Sequence, residues 1–464
     1  MTDSSIETFN RLVRTDLPAR TPKLFGTACV LGGSIAGLLA ARVLADHASE
    51  VVIVERDEPE TTGRPRAGVP QDRHGHALLP GGLKQLERWL PGVVDEVQAL
   101  GGHLAPIDQQ GVYYDGRPRA QGGDAKLLLG SRPFLEARIR NRVLALPNVS
   151  TVTGLATGLV YTDDGRVGGV QVGSESVAAD FVVDAMGRAS RLSSWLEQAG
   201  YQRPVLERMP TGIHYVTGLF ERTKSAGSLE EACVLDLISP RTMPFDLTVA
   251  SVNVIEDDQW LVMFMSYEEQ PAARSLDAFR SVCDGLPPIF RQATSGEPTR
   301  GLETYHQADS RRRDFAGLTD FPAGLVAVGD AVASFNPIYG QGISSAALHA
   351  SCLSEYLTTD PDLSSPATDF FALQQVITDA AWTLSAGADA ARHDAITGTK
   401  ASAEVEQQRW AMNQIIQATL TDPAVTEVFA AVTFMDAHPG ILADPAFLDR
   451  ALAANRTDLA ARLG

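Results

Sequence analysis

The sequence predicts an α/β fold in which a parallel sheet carries an inserted antiparallel sheet and a C-terminal layer of helices. Residues 27–57 follow a strand, glycine turn, helix and strand pattern, and residues 205–300 contain longer stretches of alternating apolar residues. The last hundred residues are rich in Ala and Leu at helical spacing. We therefore assign residues 22–204 and 300–355 to a discontinuous first domain, 205–299 to an inserted domain and 356–464 to a C-terminal helical region.

The composition is that of a globular chain of 464 residues, 44% hydrophobic and 21% charged. A formal net charge of -18 would repel phosphate backbones, so we expect no nucleic-acid partner. The N-terminal segment lacks an apolar signal region and no stretch reaches membrane-spanning length, so we expect a cytoplasmic protein without a membrane span. The four cysteines are widely separated and favour neither disulfides nor a metal site: they are Cys29, Cys233, Cys283 and Cys352.

The glycine turn near the start has the features of a dinucleotide-binding loop. Gly32 permits the tight turn, Gly37 permits close packing of the helix on the strand, and Ser34 is a small departure from the usual second glycine. The amides at the start of the helix suit a diphosphate, and Glu55 ends the second strand where an acid accepts hydrogen bonds from a ribose. The predicted contacts are Gly32, Ser34, Ile35, Ala36, Gly37 and Glu55.

A second motif, far downstream, favours FAD over NAD. Asp330 follows a short apolar strand, where a carboxylate can bind a ribityl hydroxyl. Gly340 and Gly342 open the start of the next helix, whose dipole would stabilise negative charge on a reduced flavin. The predicted contacts on this side are Asp330, Pro337, Gly340, Gly342 and Ile343.

Three blocks of the chain resemble the FAD-dependent aromatic hydroxylase superfamily, and most closely bacterial natural-product monooxygenases such as the polyene epoxidases of polyether pathways. The blocks are VLGGSIAG with Glu55-Arg56, the loop from Arg66 to Leu79, and GLVAVGDAVASFNPIYGQGISSAALHA. Their order and spacing cover most of the chain, and residues 205–300 match least. The resemblance implies a Rossmann-like FAD-binding domain of the glutathione-reductase type with an inserted antiparallel substrate domain.

The resemblance also implies further cofactor contacts. Arg56 and Arg66 would line the adenosine and flavin side, and Arg132 would lie near the FAD diphosphate. A solvated loop charge remains the alternative for Arg66, and a surface residue at a helix start for Arg132. His74 and His76 are interpreted as hydrogen-bonding loop residues rather than a metal pair. Beside the isoalloxazine the resemblance implies Gly68, Val69 and Pro70.

Two positions depart from the hydroxylase pattern. Met186 stands where those enzymes have an acid, which makes direct binding of a reduced nicotinamide uncertain, and Ala333 replaces a family histidine, as in the epoxidase branch. Halogenases share this fold but carry a W-x-W-x-I-P segment, which this sequence lacks. The sequence therefore favours oxygen insertion over halogenation.

The function that the resemblance implies is monooxygenation. Non-covalent FAD, reduced at the expense of NAD(P)H either directly or through a separate flavin reductase, would react with O2 to give a flavin hydroperoxide. Its distal oxygen would pass to an apolar unsaturated natural-product intermediate, by epoxidation first and hydroxylation second. The alternatives are a reductase or dehydrogenase acting on an isoprenoid or polyketide, and a non-catalytic flavin-binding accessory protein. No catalytic side chain is assigned.

Apolar strands of the inserted domain are candidate walls of a substrate pocket. They contain no Arg or Lys that could hold a carboxylate, and their methionines suit an elongated or irregular ligand. Because side chains alternate along a strand, only about half of these residues can face a pocket, and the rest would be core. The candidates are His214, Val216, Phe220, Leu261, Met263 and Met265.

Overall fold

The computed structural model describes residues 2–66, 68–222, 231–238, 247–267 and 273–463. Within these ranges no helix is both long and apolar enough to cross a membrane.

A five-stranded parallel sheet forms the core of the first unit. Its central strand, Phe25–Leu31, pairs with Ala48–Glu55 on one side and with Phe181–Asp184 on the other. Helix Ile35–His47 packs on this sheet, and helices Arg132–Leu144 and Gln341–Thr358 pack against that helix. The strand order is Leu325–Ala327, Phe181–Asp184, Phe25–Leu31, Ala48–Glu55 and Val149–Thr153.

An eight-stranded sheet forms the second unit, and it is larger than the predicted inserted segment 205–299. Strands from before and after that segment extend the sheet at both edges, where they satisfy backbone groups that would otherwise be unpaired. All neighbours are antiparallel except Cys233–Leu237 and Gln110–Tyr114. The order is Ala333–Ser334, Glu303–Asp314, Val205–Glu221, Gln259–Tyr267, Val249–Ile255, Cys233–Leu237, Gln110–Tyr114 and Arg117–Pro118.

The two faces of this sheet have different neighbours. Helices Leu276–Val282 and Pro288–Thr294 cover one face, where Phe264 packs against Phe279 with ring centroids 4.3 Å apart. The other face holds a separate apolar cluster that includes Met263. Since the strands alternate, neighbouring residues of one strand belong to different environments.

The C-terminal region is helical, as predicted. A 30-residue helix, Thr368–Thr397, packs against the parallel-sheet unit through Phe370 and Ile377. The helices that follow form a small core of their own around Ile415 and Phe429. Their bounds are Ala403–Ala418, Pro423–Thr433 and Pro445–Leu463.

The remaining elements connect these units. Two three-stranded sheets consist of Ala156–Tyr161, Val167–Val172 and Glu175–Ala178, and of Ala77–Leu78, His103–Ala105 and Leu127–Leu129. The remaining α-helices are Thr2–Leu12, Pro80–Trp89, Val93–Ala99 and Leu192–Gln198. Together these elements establish the predicted fold class, a mixed α/β chain with a helical C-terminal part.

Candidate functional site

A cavity of about 1980 Å³ lies between the carboxyl ends of the parallel strands, one face of the eight-stranded sheet and the C-terminal helices. Of the predicted cofactor contacts, Gly37 lies behind the cavity wall, and the side chain of Pro70 is outside the described part of the chain. The others line the cavity: Gly32, Ser34, Ile35, Ala36, Glu55, Arg56, Arg66, Gly68, Val69, Arg132, Asp330, Pro337, Gly340, Gly342 and Ile343.

The glycine turn is a backbone cradle that a side chain would fill. Gly32 has φ +102°, and a Cβ there would lie 2.5 Å from the carbonyl oxygen of Ala185. A Cβ on Gly37 would lie 1.8 Å from the carbonyl oxygen of Gly32. The Ser34 side chain does not cap the helix that follows. The first-turn amides are therefore available to an anion placed in the cavity.

The Ser34 side chain instead joins a network of buried charges. Its Oγ donates to Glu136 Oε2 at 2.7 Å and accepts from Arg132 Nη2 at 2.8 Å. Arg132 also pairs with Asp72, and Arg66 Nη2 donates to Glu136 Oε1 at 2.6 Å. The side chains of Arg66 and Arg132 are 6% and 8% exposed, so neither is the solvated surface charge that remained an alternative.

Glu136 is the centre of this network. Burial raises its pKa, but Arg132, Arg66 and Arg140 outweigh burial and bring the pKa down to about 2. Arg140 also donates to the carbonyl oxygen of Gly33 at 2.6 Å, which ties the network to the glycine turn. The sequence analysis missed Glu136 and Arg140. The available signal was that Arg132, Glu136 and Arg140 follow one another at four-residue intervals on one helix.

The acid at the end of the second strand braces the turn. Glu55 Oε2 accepts from the Gly33 amide at 2.7 Å and lies 3.4 Å from Arg66 Nη1. The adjacent Asp57 accepts from the Gly68 amide at 2.9 Å, and a Cβ on Gly68 would lie 2.3 Å from that carboxylate. The loop that carries Gly68 is therefore held at the end of the second strand by the Asp57 carboxylate and by the Arg66–Glu55 ion pair.

The downstream motif lines the cavity beside the helix that follows the glycine turn, because a Cβ on Gly329 would lie 2.6 Å from Ala36 Cβ. The Gly329 amide donates to Nδ1 of the buried His349, which fixes the turn that presents Asp330. Burial raises the pKa of Asp330, while Arg132 and Arg188 oppose this. The Gln341 amide group is buried and has no hydrogen-bond partner among the described residues, so a ligand in the cavity could bind it.

The segment that departs from the hydroxylase pattern contains a buried acid. Asp184 accepts from the Met186 amide at 2.9 Å and from the Ser190 hydroxyl. Burial raises the pKa of Asp184 to about 6, although Ser190, Met186 and Arg313 lower it. Met186 lines the cavity, whereas Ala333 lies in an edge strand. That strand precedes residues 335–340, which carry predicted flavin contacts and which we call the flavin-side loop.

The predicted pocket residues divide between the two faces of the sheet. Met263 and Met265 line the cavity, and Leu261 belongs to the same apolar cluster. Val216 and Phe220 lie in the core on the other face, because they are an odd number of residues from the positions that face the cavity. The remaining candidate does not line the cavity either: His214 stacks on His306 with ring centroids 4.3 Å apart.

Two groups that the sequence analysis did not single out, Tyr267 and Asn336, line the cavity beside the flavin-side loop, and both bind the carboxylate of Asp389. Tyr267 donates to Asp389 Oδ1 at 3.1 Å, and Asn336 Nδ2 donates to the same oxygen at 2.8 Å. Asp389 is 1% exposed, and within the described chain its Oδ2 has no partner. Asp389 belongs to helix Thr368–Thr397. No local sequence motif could have indicated that this helix contributes to the site.

The paired histidines make hydrogen bonds within the protein. His74 Nδ1 lies 2.9 Å from Thr217 Oγ1, and His76 Nδ1 lies 2.9 Å from the carbonyl oxygen of His74. Burial lowers the pKa of His74 to about 4 and that of His76 to about 3. In the described ranges no three His, Cys, Asp or Glu side chains are grouped as metal ligands.

Comparison with known proteins identifies both the fold and a relative. The chain is 32% identical over 431 residues to Protein Rv3254 of Mycobacterium tuberculosis, covering 87% of this chain and 88% of that protein. PqsL, a probable FAD-dependent monooxygenase from Pseudomonas aeruginosa, superposes with a TM-score of 0.59 at 18% identity over 77% of this chain and 95% of that one. The flavin-dependent brominase Bmp2 gives a TM-score of 0.62 at 14% identity over 95% and 100% of the two chains. No family model matches the chain.

The chain therefore has the fold of these two flavin-dependent proteins, in agreement with the predicted fold class. Within that fold, the chain belongs to the family of Protein Rv3254.

Proposed function

We propose that the chain is an FAD-dependent monooxygenase that inserts one oxygen atom from O2 into an apolar unsaturated small molecule. Epoxidation of a natural-product intermediate is the first choice and hydroxylation the second. The observation that carries this proposal is that one cavity includes residues of both predicted flavin motifs and continues along an apolar face of the eight-stranded sheet.

The residues fit an FAD molecule. The first-turn amides after Gly32 and the nearby guanidinium of Arg132 would hold the diphosphate, since both favour negative charge. Glu55 would take a ribose, and Asp330 a ribityl hydroxyl. The amides at the start of helix Gln341–Thr358 would face the pyrimidine end of the flavin. No cysteine or histidine stands in a flavin-attachment motif, so the cofactor would be non-covalent.

Bound FAD, once reduced, would activate O2, so that one of its oxygen atoms passes to the substrate and the other leaves as water. The chain's own part is to exclude water and orient the substrate. Met263 and Met265 give an apolar wall that adapts to an irregular ligand. Tyr215 adds a buried hydroxyl without a partner among the described residues, which can orient a polar group of the substrate.

We propose that electrons reach the flavin slowly from NADPH alone and faster from a separate flavin reductase. Met186 offers no acid where the hydroxylases have one, and Asp184 is fully buried. Anaerobic stopped-flow reduction with and without an unrelated flavin reductase tests this. Reduction by NADPH alone at the same rate as with the reductase would contradict it.

The overall proposal is tested by the oxygen balance. Polyenes, prenylated aromatics and hydroxybenzoates would be screened for substrate-dependent O2 uptake, with mass spectrometry of the product. A product that gains one oxygen atom from ¹⁸O-labelled O2 supports monooxygenation. Anaerobic turnover would instead support a reductase on an isoprenoid or polyketide, and flavin binding without any turnover would support an accessory protein.

The cofactor itself is tested first. The purified protein should be yellow, and acid precipitation should release the flavin into the supernatant. Colour retained in the pellet would contradict non-covalent binding, and a colourless protein that binds no added FAD would overturn the proposal. All four cysteines are buried and free, which supports action in a reducing compartment such as the cytoplasm.

A further inference from the structure

Arg119 lines the same cavity as the flavin-side loop. The Arg119 amide donates to the carbonyl oxygen of Val112, so this residue lies beside strand Gln110–Tyr114 near one edge of the eight-stranded sheet. The flavin-side strand Ala333–Ser334 lies at the other edge. The flavin-side loop reaches across the sheet toward Arg119, because Asn336 Nδ2 donates to the Tyr267 hydroxyl at 2.9 Å. Strand Gln259–Tyr267 lies three strand spacings from strand Gln110–Tyr114, which corresponds to about 14 Å at roughly 4.8 Å per strand.

Arg119 is a partly buried cation whose side chain forms no ion pair with any carboxylate of the described residues. Its side-chain partner is Tyr114, whose hydroxyl also interacts with Thr419 of the C-terminal helices. Burial lowers the pKa of Arg119, because a guanidinium in an apolar environment is costly without a counter-charge. Among the other arginines of the cavity, Arg191 is exposed and these six pair with an acid: Arg56, Arg66, Arg132, Arg188, Arg311 and Arg409.

The wall between Arg119 and the flavin-side loop is mainly apolar. It is contributed by successive strands of the eight-stranded sheet, whose cavity-facing residues continue from one strand to the next. The residues along this path are Met265, Met263, Val249, Leu235, Leu237 and Val112. An extended chain with one charged end matches this arrangement.

We propose that Arg119, assisted by Tyr114, binds the carboxylate of an elongated apolar acid whose reactive part lies at the flavin end of the cavity. The inference rests on the proposed monooxygenase function and names its substrate class. The guanidinium can donate two parallel hydrogen bonds to a carboxylate, and the Tyr114 hydroxyl can donate a third. Small phenolic acids are excluded from this role, because they cannot span from Arg119 to the flavin-side loop.

Ligand binding tests the inference without turnover. Calorimetry on the protein as purified, with its cofactor, would compare decanoate, myristate and oleate with their methyl esters. The wild-type protein should bind at least one acid, and its ester about tenfold to a hundredfold more weakly, as expected when hydrogen bonds to a charged group are lost. Arg119→Gln should reduce acid binding by the same factor and leave ester binding unchanged. Arg119→Lys should recover part of it.

Arg117→Gln is the matched control, because Arg117 is exposed in the same hairpin two residues away. This variant should bind the acids as the wild-type protein does. Equal binding of acid and ester by the wild-type protein, or no binding of any acid, would overturn the inference, as would wild-type acid affinity in Arg119→Gln. If Arg119→Gln weakened the binding of acid and ester equally, the inference would also be overturned. That result would indicate that Arg119 supports the fold through Tyr114 and its contact with Thr419. None of these outcomes depends on oxygen uptake, so the monooxygenase proposal stands or fails separately.

Discussion

The two ends of the cavity solve the problem of buried polar groups differently. One end of the cavity contains the glycine turn, and we call it the nucleotide end because we propose that it binds the nucleotide. There Arg66, Arg132 and Glu136 are buried but paired with one another. At the sheet end, which is the part of the cavity lined by the eight-stranded sheet, the hydroxyl groups of Tyr215 and Ser251 are buried and have no partner among the described residues. The nucleotide end is thus held in shape by the protein's own contacts, whereas polar groups at the sheet end are left for a ligand to satisfy.

The largest effect is expected at the glycine turn. Gly32→Val should abolish FAD binding, because even a Cβ there would lie 2.5 Å from the Ala185 carbonyl oxygen and the backbone has φ +102°. Asp330→Ala should greatly weaken binding through the loss of charge-assisted hydrogen bonds. Flavin content after gel filtration measures both. Gly301→Val is the control, since a Cβ on Gly301 has no neighbour within 4 Å. Stoichiometric flavin in both test variants would show that the site is misplaced.

The charged network should matter for stability even without the cofactor. Glu136→Gln would leave three guanidinium groups without their shared carboxylate, and we expect a loss of about 3 to 5 kcal/mol in the free energy of unfolding. Urea unfolding of the cofactor-free protein would measure it.

Glu96→Gln is the matched control for this prediction, because Glu96 pairs with Arg142 at the surface, where the two side chains are 28% and 30% exposed. The Glu96→Gln variant should lose less than about 1 kcal/mol in the free energy of unfolding. Equal losses in the two variants would mean that the network does not stabilise the nucleotide end.

This contrast also explains what the sequence could predict. The glycine turn was recognisable because Gly32, Ser34 and Gly37 are close in sequence, and each requirement is imposed by backbone geometry. The pocket candidates came from two strands whose periodicity predicts alternation but not which face meets the cavity. Val216 and Phe220 therefore belong to the opposite core.

The sheet end could not be assembled from the sequence for a further reason. Arg119 and Ile416 are separated by 297 positions and line the same cavity only because the C-terminal helices pack over the sheet that carries strand Gln110–Tyr114. Long-range packing of this kind leaves no local pattern. The extension of the sheet beyond 205–299 was missed for the same reason.

A third prediction separates the two faces of one strand. Met265→Trp should narrow the cavity and raise KM for an elongated alkene about tenfold, equivalent to about 1.4 kcal/mol, with little change in the unfolding midpoint. Phe264→Leu, one residue away, should lower the unfolding midpoint and leave KM unchanged, because Phe264 packs against Phe279 on the other face. Steady-state kinetics and thermal unfolding of both variants measure this. A KM change in Phe264→Leu without one in Met265→Trp would reverse the assignment of the faces.

The smallest effect is expected from Asp184, which borders the nucleotide end but belongs to no ion pair of the charged network. Burial raises the pKa of its carboxyl from 3.8 to about 6, so between these values the folded state binds the proton more tightly than the unfolded state. The contribution of Asp184 to stability is therefore greatest at the acidic end of this window and falls as the pH rises through about 6.

Asp184→Asn cannot lose a proton there, so its stability relative to the wild-type protein should increase across the window. Urea unfolding at several pH values tests this, with the surface variant Asp320→Asn as a control whose stability difference should stay constant. A relative stability of Asp184→Asn that falls as the pH rises would show that Asp184 is held as a carboxylate by Arg313.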